Sequence, residues 1–178
     1  MFSSKPLSVI TVLASLAFSA GAGLAGPDLG EEISADDLAA WDISIAPDGS
    51  GLPAGSGSVT AGADLYAKKC AQCHGETGTE GPADPIAGGT GSLASEAPAK
   101  TVGSFWPYAT TLFDYTRRAM PFDAPQSLSA DEVYALTAYV LHLNGIVEAD
   151  AVIDAASLAA IEMPNRDGFV AHWPEVPK

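Results

Sequence analysis

The stretch "YAKKCAQCHGETG", Tyr66 to Gly78, carries the only two cysteines of the 178-residue chain, three positions apart, with a histidine directly after the second. Cysteines at this spacing serve a redox disulfide, half of a zinc site, or covalent attachment of a haem. A disulfide oxidoreductase sets the motif in a βαβ unit, whereas here it ends a helical pattern and follows no hydrophobic strand. A structural zinc site takes four Cys or His ligands, and outside the motif only His142 and His172 remain. A plain disulfide across three helical residues is strained and closes almost no loop. Covalent haem uses every residue of the motif. Each thiol adds across one porphyrin vinyl, the spacing keeps Cys70 and Cys73 on one face, and His74 supplies the proximal iron ligand. One covalently attached haem c is therefore expected.

The sixth iron ligand sets what such a haem can do: a thioether favours reduced iron and electron transfer, and an open position favours binding or catalysis. Beyond the leader the methionines are Met120 and Met163, each followed by proline. Either is a candidate, as core filler is the ordinary use of methionine. His142, inside a helical pattern, and His172, near the chain end, are weaker candidates.

The chain opens with Lys5 and an apolar run from Leu7 to Ala20, followed by small residues that offer cleavage after Ala22 or Ala25. This is the pattern of a secretory signal peptide over 1–25 and implies a periplasmic mature protein; a retained membrane anchor is the alternative. No later stretch is apolar enough to span a membrane. The formal net charge is −14, with 8 basic residues against 22 acidic ones, which suits neither DNA nor RNA as a partner. Residues 26–61 hold seven acids and no base, and residues 146–178 hold six acids and two bases. Between them lie nine acids with Lys68, Lys69, Lys100, Arg117 and Arg118, which are candidates to border a haem edge or pair with its propionates. Acidic flanks serve solubility or the choice of a docking partner.

Residues 26–59 read as an extended acidic flank, rich in Gly, Pro and Ser, with Trp41, Ile43 and Ile45 alternating as in a short strand. A helix is predicted from Thr60, its N-cap, through the cysteine motif to Gly75. A loop follows, then a short helix over Tyr108–Ala119 stopped by Met120-Pro121. The clearest helix is "SADEVYALTAYVLHLNG", with a Ser129/Glu132 capping box and Gly145 at its end. "ADAVIDAASLAAI" suggests one more short helix, and the tail from Glu162 is irregular. About three helices and long loops make a thin core, which a large apolar cofactor would complete.

In this order of helix, CxxCH, Pro-containing loop, Met loop and C-terminal helix, the chain over about Thr60–Gly145 resembles a class I cytochrome c. Gly62 and Tyr66, with Leu136 and Tyr139, resemble that family's crossing of N- and C-terminal helices. The resemblance implies an all-α fold of about three core helices around a covalent haem, occupying residues 60–145, with flanks at 26–59 and 146–178. It selects Met120 as the sixth ligand. It also implies a loop proline carbonyl that accepts the proximal histidine N–H, with Pro85 the choice and Pro82 its competitor. The segments "WDISIAPDGSGLPAGSGSV", "GSFWPYATTLFDYTRRAMPFDAP", "SLSADEVYALTAYVLHLNGI" and "MPNRDGF" resemble the cytochrome partners of bacterial molybdenum sulfite dehydrogenases and of sulfane dehydrogenase. That likeness implies a non-enzymatic electron carrier. It would be reduced by a molybdenum catalytic subunit and oxidised by a downstream cytochrome or terminal oxidase. A general periplasmic shuttle, or a haem sensor or enzyme with a vacant axial site, are the alternatives.

Overall fold

The computed structural model describes residues 30–170. The leader assigned to 1–25 and His172 lie outside the described residues. Six helices occur among them: α1 (Ala35–Trp41), α2 (Val59–Lys69), α3 (Ala71–His74), α4 (Ala109–Ala119), α5 (Ala130–Leu143) and α6 (Ala155–Ala159). Two three-residue strands, β1 (Ser56–Ser58) and β2 (Val152–Asp154), form one antiparallel pair.

Helix α5 is the centre. The Ser129 hydroxyl accepts the Glu132 N–H, and the Glu132 carboxylate accepts the Ser129 N–H, so the predicted capping box is present. Helix α2 crosses α5 at Gly62, where a β-carbon would stand 1.9 Å from the Ala135 carbonyl oxygen. Glycine is therefore required for the approach. The rings of Tyr66 and Tyr139 meet beyond it, 5.1 Å apart. On the other side α4 packs Phe113 against Tyr134, with ring centroids 4.5 Å apart. Val133, Leu136, Leu141, Leu158 and Met163 complete the buried core, each such apolar side chain contributing roughly 1.5–3 kcal/mol through burial.

The helical class is as expected, and several local expectations are corrected. Helix α2 begins two residues earlier than predicted, because Ser58 and not Thr60 is the cap, its hydroxyl accepting the Ala61 N–H. The chain leaves helical geometry at Cys70 (φ −124°) before α3 carries it to His74. The alternation at Trp41, Ile43 and Ile45 makes no strand. Ser34 caps α1 through Asp37 and draws Trp41 into the helix.

The flanks are built into the body. Ser56 pairs with Asp154, Gly57 with Ile153 and Ser58 with Val152. Gly57 lies so close to α5 that a β-carbon there would be 2.1 Å from the Ala135 nitrogen. Further along, the Ile45 N–H donates to Asp114 at 3.2 Å, and the Tyr134 hydroxyl donates to the Pro53 carbonyl at 2.8 Å. On the C-terminal side Asn165 Nδ2 donates to the Phe105 carbonyl at 2.7 Å.

Candidate haem-attachment site

The three motif residues gather at the end of α2 and along α3. Cys70 is half-buried at the junction of the two helices, and its N–H donates to the Tyr66 carbonyl at 2.8 Å. Cys73 is exposed, and His74, half-buried, is the last residue of α3. The two thiols are not bonded to each other. Burial pushes the Cys70 thiol up to about 11, with neighbouring Lys69 acting in the opposite direction, so this thiol is protonated at neutral pH. Gly75, at φ +79°, takes a positive-φ backbone conformation that favours glycine and ends α3. The Tyr66 hydroxyl donates to its carbonyl at 3.0 Å.

The loop after His74 folds back on the motif. The Ala83 N–H donates to the Cys73 carbonyl at 2.9 Å. Gly81 lies against that same carbonyl, which a β-carbon would meet at 2.0 Å. His74 Nδ1 then lies 3.2 Å from the Asp84 carbonyl oxygen. A carbonyl only accepts, so Nδ1 carries the proton and Nε2 keeps a free lone pair for a metal. This corrects the expected acceptor: neither Pro85 nor Pro82 supports the imidazole. The oxygen belongs to the residue before Pro85, whose amide the proline ring holds in place.

Sequence reasoning missed the residues that hold this loop. The Glu80 carboxylate, though exposed, accepts the N–H groups of Thr77 and Thr79 and both their hydroxyls. These bonds, the Thr77 hydroxyl foremost, hold it far below the usual carboxylate range, at about 2. Asn144, at the end of α5, accepts the Gly88 N–H at 3.1 Å and donates to the Ile86 carbonyl at 3.2 Å. The Thr101 hydroxyl donates to the Gly88 carbonyl at 2.6 Å. The one available signal was an asparagine directly after the last apolar turn of α5.

Met120 stands apart from the motif in the chain, as the C-cap of α4, half-buried and extended as a residue before proline must be. Near it in sequence, Tyr115 and Phe122 are 49% and 86% exposed. Met163 is different: at 3% exposure it belongs to the core, which is methionine's ordinary use. His142 faces the chain's own backbone, with Nδ1 3.0 Å from the Val147 carbonyl. Of the five candidate cations, Arg118 is held by Asp114 at 2.8 Å. Lys100 lies over the Phe105 ring, 5.1 Å from its centroid.

The donor set fits covalent haem better than zinc. Among the described residues no three His, Cys, Asp or Glu side chains converge as a metal site would require. Two unbonded thiols and an imidazole whose Nε2 alone is free suit a group attached through two thioethers and one nitrogen ligand.

The profile of the family described as cytochrome c matches residues 59–144. No curated protein matches the chain. Among solved structures, the chain is similar to a chain of the sulfane dehydrogenase SoxCD from Paracoccus pantotrophus. The two are 44% identical, with a TM-score of 0.77, over 81% of this chain and 71% of the other.

Proposed function

This chain belongs to the cytochrome c family, and from that premise we propose that it is a periplasmic monohaem electron carrier. It takes electrons singly from the catalytic subunit of a molybdenum sulfite or sulfane dehydrogenase and passes them to a downstream cytochrome or terminal oxidase. The observation that carries this reading is the 44% identity to a sulfane dehydrogenase chain over 81% of this one. That span exceeds the family match at 59–144, so the likeness takes in flank as well as haem domain. Export is supported by the signal-like pattern of residues 1–25. No helix among the described residues is long and apolar enough to cross a membrane.

Bound haem c supplies a one-electron iron couple. Cys70 and Cys73 would hold it through two thioether bonds, His74 through Nε2, and Met120 through its sulfur. The Asp84 carbonyl, by accepting from Nδ1, fixes the imidazole and raises the basicity of Nε2. The Met120 thioether pulls the other way and favours ferrous iron. Oxidation of sulfite to sulfate releases two electrons, so a one-electron carrier accepts twice per turnover.

Stopped-flow mixing of the oxidised protein with a purified molybdenum sulfite or sulfane dehydrogenase catalytic subunit tests the reading, once with sulfite and once with a sulfane-sulfur substrate. Reduction at a rate that keeps pace with turnover supports it and identifies the electron source. A protein that dithionite reduces, but that neither enzyme–substrate mixture does, refutes the partner.

A further inference from the structure

The N-terminal flank contains an element that haem binding does not use. Helix α1 has seven residues, too few to persist in water on helix propensity alone. Its N-terminal end is held by its own residues. Ser34 Oγ accepts the Asp37 N–H at 3.1 Å and donates to the Asp37 carboxylate at 2.6 Å. Ile33 and Leu38 occupy the two positions of a hydrophobic staple. Asp36 and Asp37 lie in the first turn, where the helix dipole favours negative charge. The apolar side chains so organised stay outside the core. Ile33, Leu38 and Trp41 are 54%, 50% and 81% exposed, and none joins the core cluster. Leu38 and Trp41, three residues apart, share a face. The chain rejoins the body at Ile45, which packs on the core and bonds to Asp114.

We propose that α1 is a preformed docking element. Its Ile33, Leu38 and Trp41 side chains seat in an apolar groove bordered by Lys or Arg on the dehydrogenase catalytic subunit. This rests on the electron-carrier reading above for the identity of the partner. Charge selects the occupant. Residues 26–61 carry seven acids and no base in a chain of net charge −14, so a second copy or an anionic lipid surface is repelled. A basic groove is attracted. A tryptophan left this exposed on an otherwise acidic arm is the residue type that most often anchors an interface.

The test uses the haem-loaded full chain and the purified catalytic subunit, with affinity measured calorimetrically at low and physiological salt. Trp41→Ala and Leu38→Asp should each weaken binding by about tenfold or more. Glu31→Lys combined with Glu32→Lys should slow association and flatten its salt dependence. All variants should keep the wild-type visible spectrum and dithionite reduction, since these side chains lie outside the core. Wild-type affinity in Trp41→Ala, in a protein the enzyme still reduces, overturns the docking element and leaves the carrier reading standing. A wild-type protein that the enzyme neither binds nor reduces overturns both. A dimer in sedimentation that Trp41→Ala dissociates assigns the face to a second copy. Trp41-dependent binding to phosphatidylethanolamine–phosphatidylglycerol vesicles assigns it to lipid. Either result overturns the proposal.

Discussion

Replacing Gly62 by alanine sets two effects of known size against each other. Alanine in a helix interior is favoured over glycine by about 1 kcal/mol. Against this, the new β-carbon would stand 1.9 Å from the Ala135 carbonyl oxygen, 2.6 Å from its carbon and 2.8 Å from Tyr139 Cβ. An ordinary carbon–oxygen contact is about 3.3 Å or longer, so α2 and α5 must part by more than about 1 Å. The first two obstacles are backbone and cannot rotate away. Overpacking of this kind costs about 1–3 kcal/mol, and a backbone clash belongs at the upper end. The net expectation for Gly62→Ala is a loss of about 2 kcal/mol, or a fall in Tm of about 4–8 °C at this chain length. Urea unfolding of the haem-loaded protein measures it, with an unchanged slope showing that stability alone has moved. A midpoint that stays put or rises would mean that helix propensity governs and that the close crossing is dispensable.

Other outcomes follow from the site. Acid–acetone extraction should leave one haem per chain on the polypeptide; a colourless polypeptide, or zinc in its place, would refute attachment at Cys70 and Cys73. Met120→Ala should abolish the weak sulfur-to-iron band of the oxidised protein and lower its potential. Met163→Ala should keep both and instead cost about 2–5 kcal/mol of stability, as for a core methionine, so the reverse pattern would exchange the two roles. Glu80 has its carboxyl held at about 2, below its ordinary 4.5. Its contribution is thus full above 4.5 and lost as pH falls through 2. The stability gap between wild type and Glu80→Gln should be open at neutral pH and close through that window; a gap independent of pH would place its cause outside the carboxylate.

What was legible in the sequence was local chemistry. Cys70, Cys73 and His74 announce themselves by spacing, and Ser129 with Glu132 writes a helix start within four residues. Gly62 was legible through family resemblance, because a missing side chain says nothing alone about what comes close to it. The β1–β2 pair was illegible for two reasons. "SGS" carries no alternation of apolar and polar residues, and its partner Val152–Asp154 lies far along the chain. Helix α1 was obscured because the glycines and prolines after Trp41 coloured the reading of the whole flank, while Ser34 and Asp37 form a cap of their own. The acceptor of His74 was misplaced by one residue: proline shapes the loop, but the oxygen it orients belongs to Asp84. The roles of Glu80 and Asn144 depend on how two loops return to the motif, which no periodicity encodes.

The β1–β2 ladder also has a mechanical meaning. Its register places Ser56 opposite Asp154, so the N-terminal arm and the C-terminal segment leave from the same end of the pair. Tension between them opens the ladder like a zipper, rung by rung, instead of shearing all its bonds together. A pull on an arm held by a partner meets first the Ile45–Asp114 bond, then the Tyr134–Pro53 bond, then the ladder. Only after Gly57 has lifted off α5 does the load reach α2 and, beyond its end, Cys70 and Cys73. The flank is thus a series of weak links that yield in order, a fuse between the N-terminal arm and α2. Single-molecule extension between the two flanks should show these links opening at lower force than the α2–α5 crossing.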